Sequence, residues 1–300
     1  MTEWLISIEG SAEGRQLAMF LALFAALMHA IFGALQKGRH DPWLTRGAVD
    51  FCYGVIAAPF ALFVVPWPEP HMWLIFAGMF VIHAVYKYTQ AKAYSHGAYT
   101  VVYPVVRGLG PVITVTIAGF VFGEEFVGLQ WGGLLLLSLA ILALAALNFR
   151  RETVDRNALK LALLWAVAAG FMVAAYTTYD AYGIRETPNP FTFLAWFFFI
   201  DGFLFPVIAF AKWRRMDQPP LLRPLMLRGF IGGIVAYMSF GSILMAMRLD
   251  KVGEAAVLRE TSTVFAAIIG WVFLKETVGL ARAVLMGLIA AGAVLVEFGG

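Results

Sequence analysis

Apolar runs of membrane length recur along the whole chain, each closed off by a short polar or Pro/Gly-containing connector. In the first half they cover residues 17–36, 44–65, 72–91, 99–122 and 129–147. In the second they cover residues 158–180, 191–211, 225–247, 255–274 and 280–298. A helix of about 20 apolar residues crosses roughly 30 Å of hydrocarbon. The pattern therefore predicts an all-α integral membrane protein with about ten transmembrane helices. Residues 1–16 form a polar N-terminal segment, and residues 149–157, inside the stretch NFRRETVDRN, form a basic connector. That connector divides a first five-helix repeat, 17–148, from a second, 158–298.

Composition supports this picture. Of 300 residues, 61% are hydrophobic and 14% charged, against roughly 45–50% and 25% in an ordinary soluble domain. Little chain remains for a soluble domain. The net charge of +3 comes from bases in the connectors, which points to membrane orientation rather than to a nucleic-acid partner. Cys52 is the only cysteine, which excludes an intrachain disulfide, a cysteine-rich zinc site and a CxxC redox pair. Glu3, Glu9 and Glu13 accompany Arg15 near the start, so the basic region of a secretory signal is missing and the first apolar run is expected to remain as a helix. HExxH, GxSxG, Walker-type and GxGxxG signatures are absent. Neither an enzyme nor a bound cofactor or metal is expected.

The two halves resemble each other. GFVFGEEFVG (119–128) aligns with GWVFLKETVG (270–279), and upstream YPVVRG lies over AVLRE, which pairs Arg107 with Arg259 if one residue is inserted between the blocks. A shared Arg and Glu do not follow from greasy composition. Because each half crosses an odd number of times, the second enters the membrane upside down. Such inverted repeats place a site at the repeat interface near the midplane. The connectors with Lys37, Arg39 and Arg46, with Arg150, Arg151 and Arg156, and with Lys212, Arg214, Arg215 and Arg223 share one side. The positive-inside rule makes that side cytoplasmic and puts both termini outside.

Charges within apolar runs cost roughly 2.5–3.5 kcal/mol each on insertion scales, so they mark candidate sites. Arg107 lies about 12 Å into its span at about 1.5 Å per residue, and Arg259 reaches a similar depth if its helix begins near Lys251. They are expected either to bind an anionic group or lock the gates, or else Arg259 snorkels to the interface and Arg107 pairs with a buried carboxylate, for which Glu260, Asp201 and Asp180 are candidates. His83, Lys87 and Gln90 fall on one helical face with Tyr86 beside them, and His29 repeats the spacing in the first span. Tyr103, Tyr176 and Tyr237 offer ring faces and hydroxyls for a ligand. Pro104 and Pro111 flank Arg107, which makes the fourth span the expected place for a kink or local unwinding. Glu124, Glu125 and Glu276 are read as helix ends rather than site residues.

Two five-helix halves carrying GEE at 123–125 and KE at 275–276 resemble the drug/metabolite transporter superfamily, specifically its EamA type. The stretches YPVVRGLGPVITVTIAGFVFGEE and AVLRETSTVFAAIIGWVFLKE are similar to that family's central helices. The opening AALMHAIFGALQKG resembles a subgroup pattern HAxWNxxxK, with Phe32 and Gly33 in place of its Trp and Asn. The resemblance implies a secondary transporter in the bacterial inner membrane, exporting or exchanging an amino acid or related organic anion through a central cavity. With no ATP-binding sequence, the driving gradient is expected from a coupling proton or a counter-substrate. The expected partners are the lipid bilayer and a small-molecule substrate, and monomer and homodimer stay open. Family members are described with cytoplasmic termini, against the charge bias. A lipid or lipid-linked-sugar flippase on the same fold is the alternative, and a membrane enzyme a more remote one.

Overall fold

A hydrocarbon solvent offers no hydrogen bonds, so a spanning chain must satisfy its own backbone, and helices do this within one segment. The structure, a computed structural model, describes residues 2–36, 41–97, 99–149, 156–274 and 279–300. These residues form thirteen helices and no strand, and ten helical stretches are long and apolar enough to cross a membrane. Short α1 (Thr2–Ser7) precedes them. Eight spans are single helices: α2 (Ala12–Gln36), α3 (Pro42–Phe63), α4 (Pro70–His96), α5 (Tyr99–Phe122), α6 (Gly128–Phe149), α7 (Arg156–Arg185), α10 (Leu222–Leu249) and α13 (Leu280–Phe298). Two spans are interrupted. The seventh consists of α8 (Pro190–Asp201) and α9 (Leu204–Trp213), and the ninth of α11 (Val252–Arg259) and α12 (Ser262–Leu274).

Local chemistry sets the helix ends. Asp41 accepts from the backbone N–H groups of Trp43 and Leu44 ahead of Pro42, and Asn189 accepts from Phe191 ahead of Pro190. Both follow the rule of a capping side chain with proline in the first turn. Gly123, with φ of 67°, closes α5 in the left-handed conformation that glycine adopts without a Cβ clash.

Of the kink or local unwinding expected in the fourth span, the structure excludes the unwinding. Pro104 and Pro111 both lie inside the continuous helix α5. A spanning helix tolerates proline where neighbouring elements or local adjustments satisfy the freed carbonyl. The interruptions fall elsewhere, after Asp201 and after Arg259.

The chain packs as two compact units, Met1–Val81 with Asp180–Leu249, and Ile82–Tyr179 with Asp250–Gly300. Each unit draws on both sequence halves. Within the first, Arg248 at the end of the eighth span donates through Nε to Glu9 before the first span at 2.6 Å. Arg185 at the end of the sixth donates to Met247 O at 2.9 Å, and Lys212 at the end of the seventh pairs with Asp41 at the start of the second at 2.6 Å. Within the second unit, Arg282 at the start of the tenth span donates to Asn148 at the end of the fifth at 2.9 Å. Each contact joins ends that ten successive crossings put on one side of the membrane. Of the basic connectors, Lys37, Arg39, Arg150 and Arg151 lie outside the described residues, as does Glu276.

Lipid-side association lacks a hydrophobic drive between helices, so close backbone approach through small residues supplies packing instead. In the second unit, α6 and α13 cross at Gly133 and Gly292. A Cβ added to Gly292 would lie 2.6 Å from Gly133 O and 2.8 Å from the Leu137 Cβ, while one on Gly287 would meet nothing within 4 Å. Gly292→Ala is therefore expected to lower stability by about 1–3 kcal/mol through overpacking. Gly287→Ala, on the same helix, should be neutral or slightly stabilising. Thermal unfolding of both variants in detergent checks the contrast, and equal melting temperatures would show that the crossing is looser than described.

Candidate functional site

Arg107 sits on α5, eight residues after Tyr99, in the second compact unit. Its Nη1 lies 3.0 Å from Glu260 Oε1, and the two side chains are 6% and 2% exposed. Of the three carboxylates that were candidates, Glu260 is thus the one that pairs with Arg107. Asp201 accepts from the Tyr53 hydroxyl, and Asp180 is buried in the first unit. Exposure this low matters for the energetics. An exposed pair contributes about 0–1 kcal/mol, whereas removing one member of a buried pair leaves a desolvated charge and costs about 3–5 kcal/mol. The Arg107 guanidinium also lies over the Tyr103 ring, 5.3 Å from its centroid.

Arg259 is placed differently. It ends α11, is 5% exposed, and its guanidinium sits 6.0 Å from the centre of the Tyr176 ring. Its Nε is buried without a hydrogen-bond partner among the described residues. Tyr176 also gathers the stripe from the third span, with the His83 ring at 4.9 Å and the Tyr86 ring at 4.7 Å. Gln90 Nε2 donates to the Tyr86 hydroxyl at 2.7 Å. His83 and Lys87 are 4% and 3% exposed, so the face carrying them is packed inward and Lys87 does not meet lipid. Seven of the expected residues besides Arg107 therefore share its unit: Lys87, His83, Tyr86, Tyr103, Tyr176, Arg259 and Glu260. His29 and Tyr237 belong to the first unit. There His29 lies 6.4 Å from Phe32, and Tyr237 stacks on Phe198 at 4.3 Å.

The break in the ninth span explains why Arg259 and Glu260 stand where they do. After Arg259 the sequence runs Glu260, Thr261, Ser262, Thr263, and hydroxyl side chains compete with backbone for hydrogen bonds. Thr261 Oγ1 donates to Leu258 O at 2.7 Å, and the N–H groups of Glu260 and Thr261 reach back only three residues, to Val257 O and Leu258 O. Helical winding tightens, stops and restarts at Ser262. Glu260 Oε2, Ser262 Oγ, Thr263 Oγ1 and, beside Tyr176, Thr177 Oγ1 are buried without hydrogen-bond partners among the described residues. The sequence reading passed over this break and these hydroxyls. Its signal was five consecutive polar residues, RETST, inside an apolar run.

Glu124 has a more definite place than the end of a helix. Its carboxylate accepts from the N–H groups of Val252 at 2.6 Å and Gly253 at 2.9 Å, capping α11 where the N-cap Lys251 supplies no side-chain oxygen. A carboxylate is favourable at a helix N-terminus, where unpaired N–H groups carry partial positive charge. Gln130 donates to Glu254 and to Val296 O, both at 2.9 Å. The entry of the ninth span is thus tied to the fourth, fifth and tenth. No group of three or more potential metal ligands occurs among the described residues.

Comparison with known proteins agrees with this architecture. Residues 160–298 match the EamA-like transporter family. A solved structure described only as "Crystal structure of protein" superposes with a TM-score of 0.74 at 18% identity, over 94% of this chain and 99% of that one. At that identity the likeness concerns the fold. No curated protein matches the chain.

The buried pair makes a stability prediction. Arg107→Gln is expected to destabilise the protein by about 3–5 kcal/mol because Glu260 is left charged and unpaired. Adding Glu260→Gln to the same chain should recover most of that loss. Unfolding of the two single variants and the double variant measures the coupling, and purely additive losses would mean that the two side chains do not interact energetically.

Proposed function

We propose, from the match of residues 160–298 to the EamA-like transporter family, that the chain is a secondary transporter exporting or exchanging a small polar metabolite by alternating access. Its ten membrane-length helices make it a multi-pass integral membrane protein. The proposed cargo is an amino acid or a related organic anion, and the proposed location is a bacterial inner membrane. The sequence has no Walker-type motif, so a gradient would drive transport, with a proton or a counter-substrate as the coupled species.

The observation that carries the reading is the cluster around the break in the ninth span. Two arginines, a carboxylate and several hydroxyls lie buried within membrane-spanning segments, where each charge is costly unless it serves a pathway or a ligand. An interrupted helix adds support, because discontinuous helices in transporters form sites for polar cargo and ions. Lys87, His83, Tyr86, Tyr103 and Tyr176 complete the proposed site within that unit. His29 and Tyr237 remain candidates from the other.

The purified protein in proteoliposomes, preloaded with a panel of amino acids, organic acids, sugars and amines, should accumulate at least one labelled member by counterflow. Counterflow persists without a net gradient in exchangers and uncoupled carriers alike, so the assay does not depend on knowing the coupling ion. Accumulation no greater than in empty liposomes across the whole panel would overturn the transporter reading.

A further inference from the structure

A second group of titratable side chains lies buried in the first unit. Arg46, Asp50 and Tyr53 follow one another on α3 at i, i+4 and i+7, which is one helical face. Arg46 Nε lies 2.7 Å from Asp50 Oδ1, and the two side chains are 26% and 0% exposed. About one turn further along, the Tyr53 hydroxyl donates to Asp201 Oδ2, and both residues are buried. The face thus runs from a partly exposed guanidinium to two buried carboxyl groups. At about 1.5 Å per residue, Tyr53 stands about 16 Å beyond the start of α3 and Asp201 about 16 Å beyond the start of α8. Both depths fall near the middle of roughly 30 Å of hydrocarbon.

Asp201 is also the last residue of α8, beside the interruption of the seventh span. Helix α3 is pressed against that interruption. A Cβ on Gly54 would lie 3.1 Å from Gly202 Cα, and one on Gly202 would lie 3.0 Å from Asp50 O. The elements that pack most against α3 are α8, α9 and α10. Of their titratable groups, α8 brings only Asp201, and Lys212 of α9 pairs with Asp41 at 2.6 Å. On α10, Arg223 is exposed, Arg248 is held by Glu9, and Tyr237 stacks on Phe198. Arg228 is partly exposed and forms no ion pair among the described residues. On α3 itself, the Cys52 thiol points to Met226 O.

We propose that Asp201, with Tyr53 as its hydrogen-bond donor and Asp50 as the relay toward Arg46, binds the proton whose gradient drives transport. The inference rests on the transport reading and deepens it, taking a proton rather than a counter-substrate as the coupled species. Ionised carboxyl groups are expensive at membrane depth, and acids placed there serve as proton relays. The adjoining interruption suits the site, since discontinuous helices in transporters hold coupling ions. A proton adds to a carboxylate oxygen of Asp201, the neutral acid forms, and the same proton leaves when the acid ionises again. A metal cation is a poorer occupant, because the Arg46 guanidinium stands on the same face. A purely structural network is the competing account, and it predicts an acid that never changes its protonation.

Infrared difference spectra of the purified protein across a pH series should contain a protonated-carboxyl band that titrates and that is missing in Asp201→Asn. Tyr53→Phe keeps the ring against Phe198 and loses the donor, so it should move the midpoint of that titration. In proteoliposomes loaded with a pH-indicator dye, a solute of the counterflow panel that the protein transports should move protons with the wild type and not with Asp201→Asn.

A band unchanged in Asp201→Asn, or no titrating band in the wild type, overturns the proton site. Solute transport without proton movement overturns the coupling and leaves the transporter reading intact. If Asp201→Asn does not assemble, Tyr53→Phe decides, and an unmoved midpoint overturns the assignment. If nothing on the panel is transported, the transporter reading and the coupling fall together, and the infrared band alone decides whether Asp201 takes a proton.

Discussion

Backbone hydrogen bonding inside a solvent that cannot share it is the constraint on which the rest of this structure depends. Every span closes its own N–H and C=O groups by winding into a helix, and the cost of an unpaired group in hydrocarbon is several kcal/mol. Two spans depart from continuous winding, and each departure is packed against other protein elements. In the seventh, the chain between α8 and α9 passes Gly202, whose Cα lies 3.1 Å from a Cβ built on Gly54, so α3 is pressed directly against the interruption. In the ninth, the break at Glu260 and Thr261 is buried together with the side chains it presents. Irregular backbone at membrane depth persists where it is covered or lines a polar space, and the ninth span meets the first description, with its ionised and hydroxyl groups buried.

The same constraint explains how much was legible in the sequence. The number and order of spans follow from apolar runs, because helix formation in lipid is dictated by average hydropathy over a window. The fourth and tenth spans end at the residues read from composition, 99–122 and 280–298. Helix α4 continues to His96 and α7 to Arg185, five residues beyond the apolar runs in each case, since a helix goes on winding after its hydrophobic segment ends. The inward face of His83 and Lys87 was readable from i, i+4 spacing alone. A charge at that position had one low-cost direction to face.

Interruptions were not legible from proline. Proline removes a donor and crowds the preceding turn, but α5 carries Pro104 and Pro111 as a continuous helix. In the ninth span no proline is present, and the local feature at the break is Thr261, whose hydroxyl donates to Leu258 O. The partner of Arg107 was open among three carboxylates because 153 residues separate it from Glu260. Sequence spacing fixes which face a residue takes and says nothing about which distant element covers that face.

Equivalence by repetition and equivalence by environment also part company at this site. The alignment of YPVVRG with AVLRE treats Arg107 and Arg259 as copies of one position, yet only the second copy is followed by a glutamate, and Gly108 stands where Glu260 does. That single difference supplies the first copy with a counter-charge from the other half of the chain and leaves the second without one. Two positions aligned in sequence thereby have different surroundings, one in a closed ion pair and the other with its guanidinium over a ring. If both arginines were followed by a glutamate, two carboxylates would balance two guanidinium groups, although neighbouring side chains on a helix do not face each other. If neither were, two uncompensated guanidinium groups would lie buried in one unit at a desolvation cost of several kcal/mol each. One carboxylate for two arginines leaves the Arg259 guanidinium against the Tyr176 ring, without a carboxylate partner among the described residues.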